Sequence, residues 1–274
     1  MFHPLDVLIR PVARLAKRFM NDKLELKVAG ATGLVPISEF LEEDVFIVGY
    51  PKSGNTWFQN LIMGLVYGLN PLYAPDKLVQ DLVPDVHFKR YYKRYGTPMF
   101  FKSHHLPISE YKRVVYLLRD GRDVMVSYWH QLNAIQRREI DFLDMIQSGY
   151  ALFPCRWHEH VDKWLSNPYN AEMIVIKYEN LRRNPARELN NFCKFVGIER
   201  GESLLSQVIE SASFSKMRQR ELAFGWDYPA WPKDKFFVRR GQVGSYIDEM
   251  PPDVLEAFLR QAGAILERCE YMYG

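Results

Sequence analysis

The stretch VFIVGYPKSGNTWFQN, residues 45–60, contains a glycine-bearing loop with its lysine in an unusual place. Gly49 and Gly54 have the separation of a nucleotide triphosphatase loop, which reads G-x-x-x-x-G-K-[ST]. Asn55 takes the position where that loop has its lysine, and Lys52 lies inside the loop instead. A glycine loop that opens a helix presents backbone N–H groups to an anion, and the helix dipole favours negative charge there. The stretch therefore predicts an anion site without the usual grip on β- and γ-phosphates.

The position of Lys52 indicates which phosphate chemistry the loop would serve. From inside the loop, its ammonium group can reach the bridging oxygen between a 5′-phosphate and the group bonded to it. There it would stabilise the charge that develops on a leaving phosphate. Further side-chain donors come from Ser53, Asn55 and Thr56. The loop therefore suits a donor molecule with one 5′-phosphate and a group to transfer.

Two adjacent histidines, His104 and His105 in FKSHHLP, are candidates for a general base. Histidine is the usual base because its unperturbed pKa lies near neutrality. Consecutive side chains of an extended segment point in opposite directions, so the two histidines cannot serve equally. Lys102 shares the side of His104, where it would help to neutralise the oxygens of a transferred group.

Alternating strand and helix patterns must position these residues. Short apolar runs predict four strands, in VFIVGY, PMFFKSHH, RVVYLLRD and EMIVIKYENL. Helical patterns follow at residues 56–69, 123–132 and 185–197, the last with Gly197 as its stop. This alternation predicts an α/β fold, a three-layer doubly wound sheet of parallel strands flanked by helices. Ligands gather at the carboxyl ends of such strands, where the sequence places Lys52, residues 102–105, Arg119 and Tyr178.

The composition bounds the class of protein. The 274 residues suffice for one α/β domain over residues 1–274, and 47% hydrophobic with 25% charged residues is an ordinary folded balance. A net charge of +3 is too small to argue for a nucleic-acid partner. Three widely spaced cysteines form neither a disulfide framework nor a metal pair and predict reduced thiols in a cytoplasmic protein. They are Cys155, Cys193 and Cys269.

The N-terminal segment, residues 1–25, has the pattern of a basic amphipathic helix that precedes the motif-bearing core at residues 45–244. Apolar residues repeat at helical spacing at Leu8, Val12, Leu15 and Phe19. Such a helix can make peripheral contact with an anionic membrane. It can also pack on its own domain or on a partner subunit, as such apolar stripes more often do. Both interpretations stay open, as does the oligomeric state.

YPKSGNTW, residues 50–57, resembles the 5′-phosphosulfate loop of the cytosolic-type sulfotransferases, in particular their bacterial-type members. That family uses 3′-phosphoadenosine 5′-phosphosulfate (PAPS) and releases adenosine 3′,5′-bisphosphate (PAP). The resemblance therefore implies PAPS as sulfuryl donor, PAP as product and no metal. Asn55 departs from the threonine that the family has there, and Trp57 matches the tryptophan that stacks on adenine.

Two later segments resemble the family's 3′-phosphate site. VVYLLRDGRDVMVSYWH, residues 114–130, implies that Arg119 and Ser127 hold the 3′-phosphate. The resemblance also implies that Ser127 keeps Lys52 off the bridging oxygen until an acceptor arrives. VRRGQVG is similar to the R-K-G segment with the same role, and its matching residues are Arg239, Arg240 and Gly241.

Other parts of the resemblance concern the adenine and the dimer. The family's adenine contacts match Trp57, Tyr178 and, in SFSKM, Ser213, Phe214 and Met217. After the R-K-G segment the family often continues G-D-W-K, whereas this chain reads GSYI at residues 244–247. That departure removes the start of a dimerisation motif, so the family's dimer is not implied here.

The resemblance also bears on the base. The family's K-[ST]-H pattern selects His104, whereas an H-L-P pattern would select His105. Because K-S-H keeps the spacing to the following strand, we predict His104. The implied reaction is an in-line transfer of the sulfuryl group to an acceptor hydroxyl or amine. His158 and His160 lie two residues apart, on different faces of a predicted helix, which argues against a metal pair.

The acceptor is open to several interpretations. Aromatic residues crowd residues 88–101 and 224–237, and the second segment could be a lid over the site or a surface loop that packs on itself. Such walls suit a small phenol, a steroid, a lipid or a carbohydrate. A P-loop kinase or nucleotide triphosphatase is the first alternative function, but it needs lysine at position 55. A catalytically inactive nucleotide-binding protein is the second, and the presence of Lys52 and His104 disfavours it.

Overall fold

A four-stranded parallel sheet forms the centre of the computed structural model, which describes Met20 and residues 23–136, 139–226 and 231–272. The strands in chain order are β1 (Leu34–Pro36), β2 (Val45–Gly49), β3 (Tyr91–Lys93), β4 (Phe100–Ser103), β5 (Arg113–Leu118) and β6 (Glu172–Lys177). The central sheet has the order β4-β2-β5-β6, while β1 and β3 pair separately as an antiparallel ribbon. The connections that leave β2 and β5 run in opposite directions, so the topological switch point lies between these two strands. Ligand sites of doubly wound sheets lie at that point.

Helices cover both faces of the sheet. In chain order they are α1 (residues 23–31), α2 (Asn55–Tyr67), α3 (Asp76–Leu82), α4 (Gly121–Ile135), α5 (Phe142–Ser148), α6 (Trp157–Ser166), α7 (Tyr178–Arg183), α8 (Pro185–Val196), α9 (Glu202–Ser211), α10 (Phe214–Phe224), α11 (Tyr246–Glu249) and α12 (Pro252–Arg268).

The core consists of two apolar layers because the side chains of β2 alternate between the faces of the sheet. Phe46 and Val48 pack with residues of α4, α6 and α12. Val45 and Ile47 pack on the opposite face with residues of α2, α8 and α9. Every residue of β2 is buried, as expected of a strand covered on both faces. The predicted three-layer, doubly wound fold is confirmed.

The predicted elements are confirmed with changes at their ends. Helix α2 ends at Tyr67, before the predicted residue 69, because Gly68 takes a left-handed conformation with φ 66°. Gly197 stops α8 as predicted, with φ 73°. The predicted strand EMIVIKYENL is shorter than expected, since β6 ends at Lys177 and Tyr178 opens α7.

The N-terminal pattern at Leu8, Val12, Leu15 and Phe19 lies outside the described residues. In the residues that are described, no helix combines the length and the apolar character needed to cross a membrane. All three cysteines are free thiols.

Two helical glycines provide a test of the packing. A Cβ atom on Gly121, at the start of α4, would lie 2.5 Å from Trp157 and 2.7 Å from Phe258. We expect Gly121→Ala to lower the free energy of unfolding by about 1–3 kcal/mol, because overpacking displaces these buried rings. Gly263 in α12 has open space around the same position, so Gly263→Ala should stabilise the protein by about 0.5–1 kcal/mol. Denaturant unfolding of both variants measures the difference. Equal effects would contradict the tight packing at Gly121.

Candidate active site

A cavity of about 910 Å³ lies at the carboxyl ends of the parallel strands. The loop after β2, the end of β4, and the residues that follow β5 and β6 all contribute to its wall. Fifteen of the predicted site residues line it: Lys52, Gly54, Asn55, Thr56, Trp57, Lys102, His104, Arg119, Ser127, Tyr178, Phe214, Met217, Arg239, Arg240 and Gly241. The fold thus brings together residues that are far apart along the chain, from Lys52 to Gly241.

Two predicted residues, Ser53 and Ser213, are not among those that line this cavity. Ser53 is buried beneath the loop, and its backbone N–H donates to the Tyr50 carbonyl at 3.1 Å. Ser213 precedes α10, and its hydroxyl lies 3.1 Å from that of Ser215. Neighbouring residues of both segments line the cavity, whereas these two residues are not among its lining.

The glycine loop has the backbone geometry of a ligand-binding turn. Lys52 takes φ 74°, a left-handed value that few non-glycine residues adopt and that clusters at binding sites. Gly54 takes φ 96° and caps α2, and a Cβ atom there would lie 2.8 Å from the Tyr178 ring. The glycine therefore permits both the turn and the close approach of Tyr178. The first N–H groups of α2 lack partners within the helix and are available at the cavity.

Lys52 lies among other cations. Its pKa is lowered to about 7, first by burial and then by the charges of Arg119, Lys102 and Arg239. Its Nζ atom lies 4.5 Å from the centre of the Phe237 ring. Among the described side chains no carboxylate pairs with Lys52, whereas Lys102 forms an ion pair with Asp85 at 2.9 Å. This end of the cavity therefore has an excess of positive charge that an anion would balance.

Arg119 connects the loop with the late segment of the chain. Its Nη1 donates to the Lys52 carbonyl at 3.1 Å and its Nη2 to the Gln242 carbonyl at 3.0 Å. The guanidinium lies 4.3 Å from the centre of the Tyr178 ring and 3.6 Å from Asp123. Its buried Nε has no hydrogen-bond partner in the part of the chain that the structure describes. Arg119 is thus held in place by these contacts, and its Nε–H remains available as a donor.

Further buried polar atoms lie unpartnered beside the loop. The Ser53 hydroxyl and both amide atoms of Asn55 make no hydrogen bond within the described residues. Buried polar atoms are nearly always satisfied, so such a group marks a place where a ligand or water completes the bonding.

Hydrogen bonds to His104 define its tautomer. Nδ1 of His104 lies 2.6 Å from the carbonyl oxygen of Gly49. Because that oxygen can only accept, Nδ1 must carry the proton, and Nε2 keeps the free electron pair. Burial and the charge of Lys102 lower the pKa of His104 to about 3, so its ring is neutral at neutral pH. His104 thus has the protonation state that a base requires.

Two other histidines hold the backbone of His104. Its N–H donates to Nε2 of His87 at 2.9 Å, and its carbonyl accepts from Nε2 of His160 at 3.2 Å. Since Nε2 of His160 donates, its Nδ1 accepts from the Tyr116 hydroxyl at 3.0 Å. The candidate base is therefore held at three points, through its ring, its N–H and its carbonyl.

His105 has a different environment. It is exposed and is not among the residues that line the cavity. Its N–H donates to Ser103 Oγ and its carbonyl accepts from Trp164 Nε1. The alternation expected of an extended segment therefore separates the two histidines, with His104 on the cavity side.

Two residues of the site, Asp85 and His87, were missed by the sequence analysis. Asp85 is fully buried and forms an ion pair with Lys102, so the charge of Lys102 is balanced within the protein. The His87 ring stacks nearly parallel to that of His104, with 5.6 Å between the ring centres. Both residues lie in the irregular segment between α3 and β3, where no periodic pattern marks them. The spacing D-x-H was the one available signal.

Aromatic side chains form another wall of the cavity. Trp226 and Phe237 stack at 4.1 Å, and Trp231 meets the Phe237 ring edge-on at 5.4 Å. These three residues and Phe88 line the cavity, which favours the lid over a loop that packs on itself. Tyr228, between the two tryptophans, lies outside the described residues.

A family model and two relatives that match this chain are all sulfotransferases. The family model described as sulfotransferase domain matches residues 42–268. Sulfotransferase 1A1 of Mus musculus is 25% identical over 256 residues, which cover 84% of this chain and 87% of the relative. Sulfotransferase 1E1 of Bos taurus is 25% identical over 242 residues, which cover 79% and 81%.

Solved structures share the fold. A retinol dehydratase in complex with androsterone and inactive cofactor PAP has a TM-score of 0.63 at 21% identity, over 84% of this chain and 82% of that one. Mouse sulfotransferase SULT7A1 complexed with PAP has a TM-score of 0.61 at 20% identity, over 86% and 90%. At these identities the similarity shows the fold alone.

The buried histidines predict a loss of stability in acid. Burial lowers the pKa of His160 to about 4, while the unfolded chain keeps a pKa of about 6.5. As the pH falls below about 6.5, the unfolded state binds protons that the folded state does not, so the free energy of unfolding decreases. His160 alone should contribute a slope of about 1.4 kcal/mol per pH unit.

Urea unfolding between about pH 7 and about pH 5 measures this slope, in the wild type and in His160→Gln. A glutamine side chain does not titrate. The slope of the free energy of unfolding against pH should therefore be smaller in the variant, by the contribution of about one proton. Parallel curves for the two proteins would contradict the depressed pKa of His160.

Proposed function

Because the chain belongs to the sulfotransferase domain family, we propose that it transfers the sulfuryl group of PAPS to an acceptor hydroxyl or amine by in-line displacement. One observation carries the proposal: Lys52, without a carboxylate partner among the described residues, lies in a group of cations in the same cavity as the neutral ring of His104. An anionic donor satisfies the first feature, and an acceptor with a removable proton satisfies the second.

The residues present fit PAPS. Its 5′-phosphosulfate end would lie against Lys52, Thr56 and the N–H groups at the start of α2. Its 3′-phosphate would be held by Arg119, whose Nε is unpartnered within the described chain, together with Ser127 and the Arg239–Gly241 segment. The adenine would lie among four residues of the cavity wall: Trp57, Tyr178, Phe214 and Met217. The two similar structures were solved with PAP, the product of such a donor.

PAPS supplies an activated sulfuryl group on a 5′-phosphate. The residues of this chain remove the proton of the acceptor and stabilise the leaving group. Nε2 of His104 takes the proton of the acceptor as its oxygen or nitrogen attacks. Lys52 stabilises the charge on the departing 5′-phosphate. A bound polyanion raises the pKa of both groups, because it stabilises their charged forms. Lysine and backbone donors provide this stabilisation, so the proposal requires no metal ion.

The acceptor is a small molecule with an apolar body, because the acceptor end of the cavity has aromatic walls at Phe88, Trp226, Trp231 and Phe237. The androsterone in complex with the retinol dehydratase is a molecule of this kind. The alternative of a P-loop kinase is disfavoured by Asn55, which replaces the lysine that grips the β- and γ-phosphates.

The first test is calorimetric titration with PAP, compared with ATP–Mg²⁺. We expect PAP to bind the wild-type protein more tightly than ATP–Mg²⁺ does. Arg119→Ala should weaken PAP binding by roughly tenfold or more, since a charge-assisted bond contributes about 1.5–3 kcal/mol. Tighter binding of ATP–Mg²⁺ than of PAP, or an unchanged affinity for PAP in Arg119→Ala, would contradict the sulfotransferase proposal.

Variants of the adjacent histidines, His104 and His105, test which of the two is the base. With an acceptor identified by a screen with PAPS, we expect His104→Gln to reduce the transfer rate by about 10²–10⁴-fold. His105→Gln should stay near the wild-type rate, because His105 is exposed and is not among the residues that line the cavity. PAP release measures both rates. The reverse order of effects would assign the base to His105.

A further inference from the structure

Three basic side chains converge on one carboxylate, Glu249 in α11, beside the cavity. Arg239 donates to it through Nη1 at 2.6 Å and Nη2 at 3.1 Å. Arg240 donates through Nη1 at 2.8 Å, and Nε2 of His130 lies 2.8 Å away. Burial raises the pKa of Glu249, but the bonds from Arg239 and His130 outweigh it and lower the pKa to about 2. Glu249 is therefore an ionised group that faces three donors.

Arg239 and Arg240 also line the cavity, as does Arg119. Nη2 of Arg119 donates to the carbonyl of Gln242, two residues beyond Arg240. Arg239 uses both of its Nη atoms on Glu249, which is the two-bond grip that arginine applies to carboxylate and phosphate alike. An internal anion thus uses the donors on which the proposed 3′-phosphate site depends.

We propose that Glu249 competes with the 3′-phosphate of the donor for Arg239 and Arg240. This inference rests on the proposed function. In the absence of donor, the carboxylate neutralises the two arginines and holds them at the cavity wall. A phosphate dianion at the same guanidinium groups is repelled by Glu249, so the arginines must exchange one anion for the other. Glu249 thereby lowers the affinity of the site for the 3′-phosphate and speeds release of the product.

Other contacts hold the backbone of this segment, so Glu249 is not needed as its anchor. Asp123 accepts hydrogen bonds from the N–H groups of Gly244 and Tyr246, at 2.9 and 3.0 Å. Glu221 accepts from the N–H groups of Phe237 and Val238. The residues on both sides of Arg239 and Arg240 are therefore fixed without Glu249, and its bonds act on the arginine side chains.

The experiment is calorimetric titration of the full chain with PAP and with adenosine 5′-monophosphate, which lacks the 3′-phosphate. Glu249→Gln removes the charge and keeps the shape of the side chain. We expect this variant to bind PAP about tenfold more tightly than the wild type does, with unchanged binding of the monophosphate. Glu256→Gln is the matched control, because Glu256 pairs with Arg260 on the exposed face of α12 and should change neither affinity.

Each alternative result has a distinct meaning. Unchanged or weaker PAP binding by Glu249→Gln would overturn the inference and make Glu249 a residue that positions the arginines. Equal tightening for both ligands would also overturn it, because competition at the 3′-phosphate acts on PAP alone. Failure of the wild type and both variants to bind PAP would refute the proposed function itself. Detectable binding by Glu249→Gln alone would support the inference.

Discussion

The separation of Lys52 from any described carboxylate is the constraint on which the rest of the site depends. The neighbouring cations each have an acidic partner: Lys102 has Asp85 at 2.9 Å, and Arg239 has Glu249 at 2.6 Å. Lys52 differs, and burial together with the nearby positive charges lowers its pKa to about 7. Such an arrangement costs stability in the empty protein and favours a bound anion. The glycine loop, with Lys52 at φ 74°, maintains it against that cost.

Burial and charge together set the protonation state of the candidate base. Burial, followed by the charge of Lys102, lowers the pKa of His104 to about 3, which keeps the ring neutral but makes it a weak base in the empty cavity. A bound polyanion would oppose both pKa shifts, since it stabilises protonated Lys52 and protonated His104. Binding of the donor would therefore move the two groups toward their working states together.

Sequence patterns predicted the residues that follow buried strands. β2 is a continuous apolar run, and β5 is one after its first residue, Arg113. Lys52 and Arg119 come soon after the ends of these strands, so the same pattern predicts the fold class and the edge of the sheet where the site lies. Asp85, His87 and Glu249 could not be found in this way. They lie in irregular segments or a single-turn helix, where tertiary contacts rather than periodicity decide which way a side chain faces.

The choice between the adjacent histidines could not be made from the sequence pattern alone and depends on an interatomic distance in the structure. Alternation along an extended segment separates His104 from His105 but does not state which one faces the cavity. The Gly49 carbonyl decides this, because its bond at 2.6 Å fixes both the ring position and the tautomer of His104. Gly49 is the last residue of β2, the strand that leads into the glycine loop. The geometry of the proposed base and that of the anion site thus derive from one backbone segment, so a shift of β2 would disturb both.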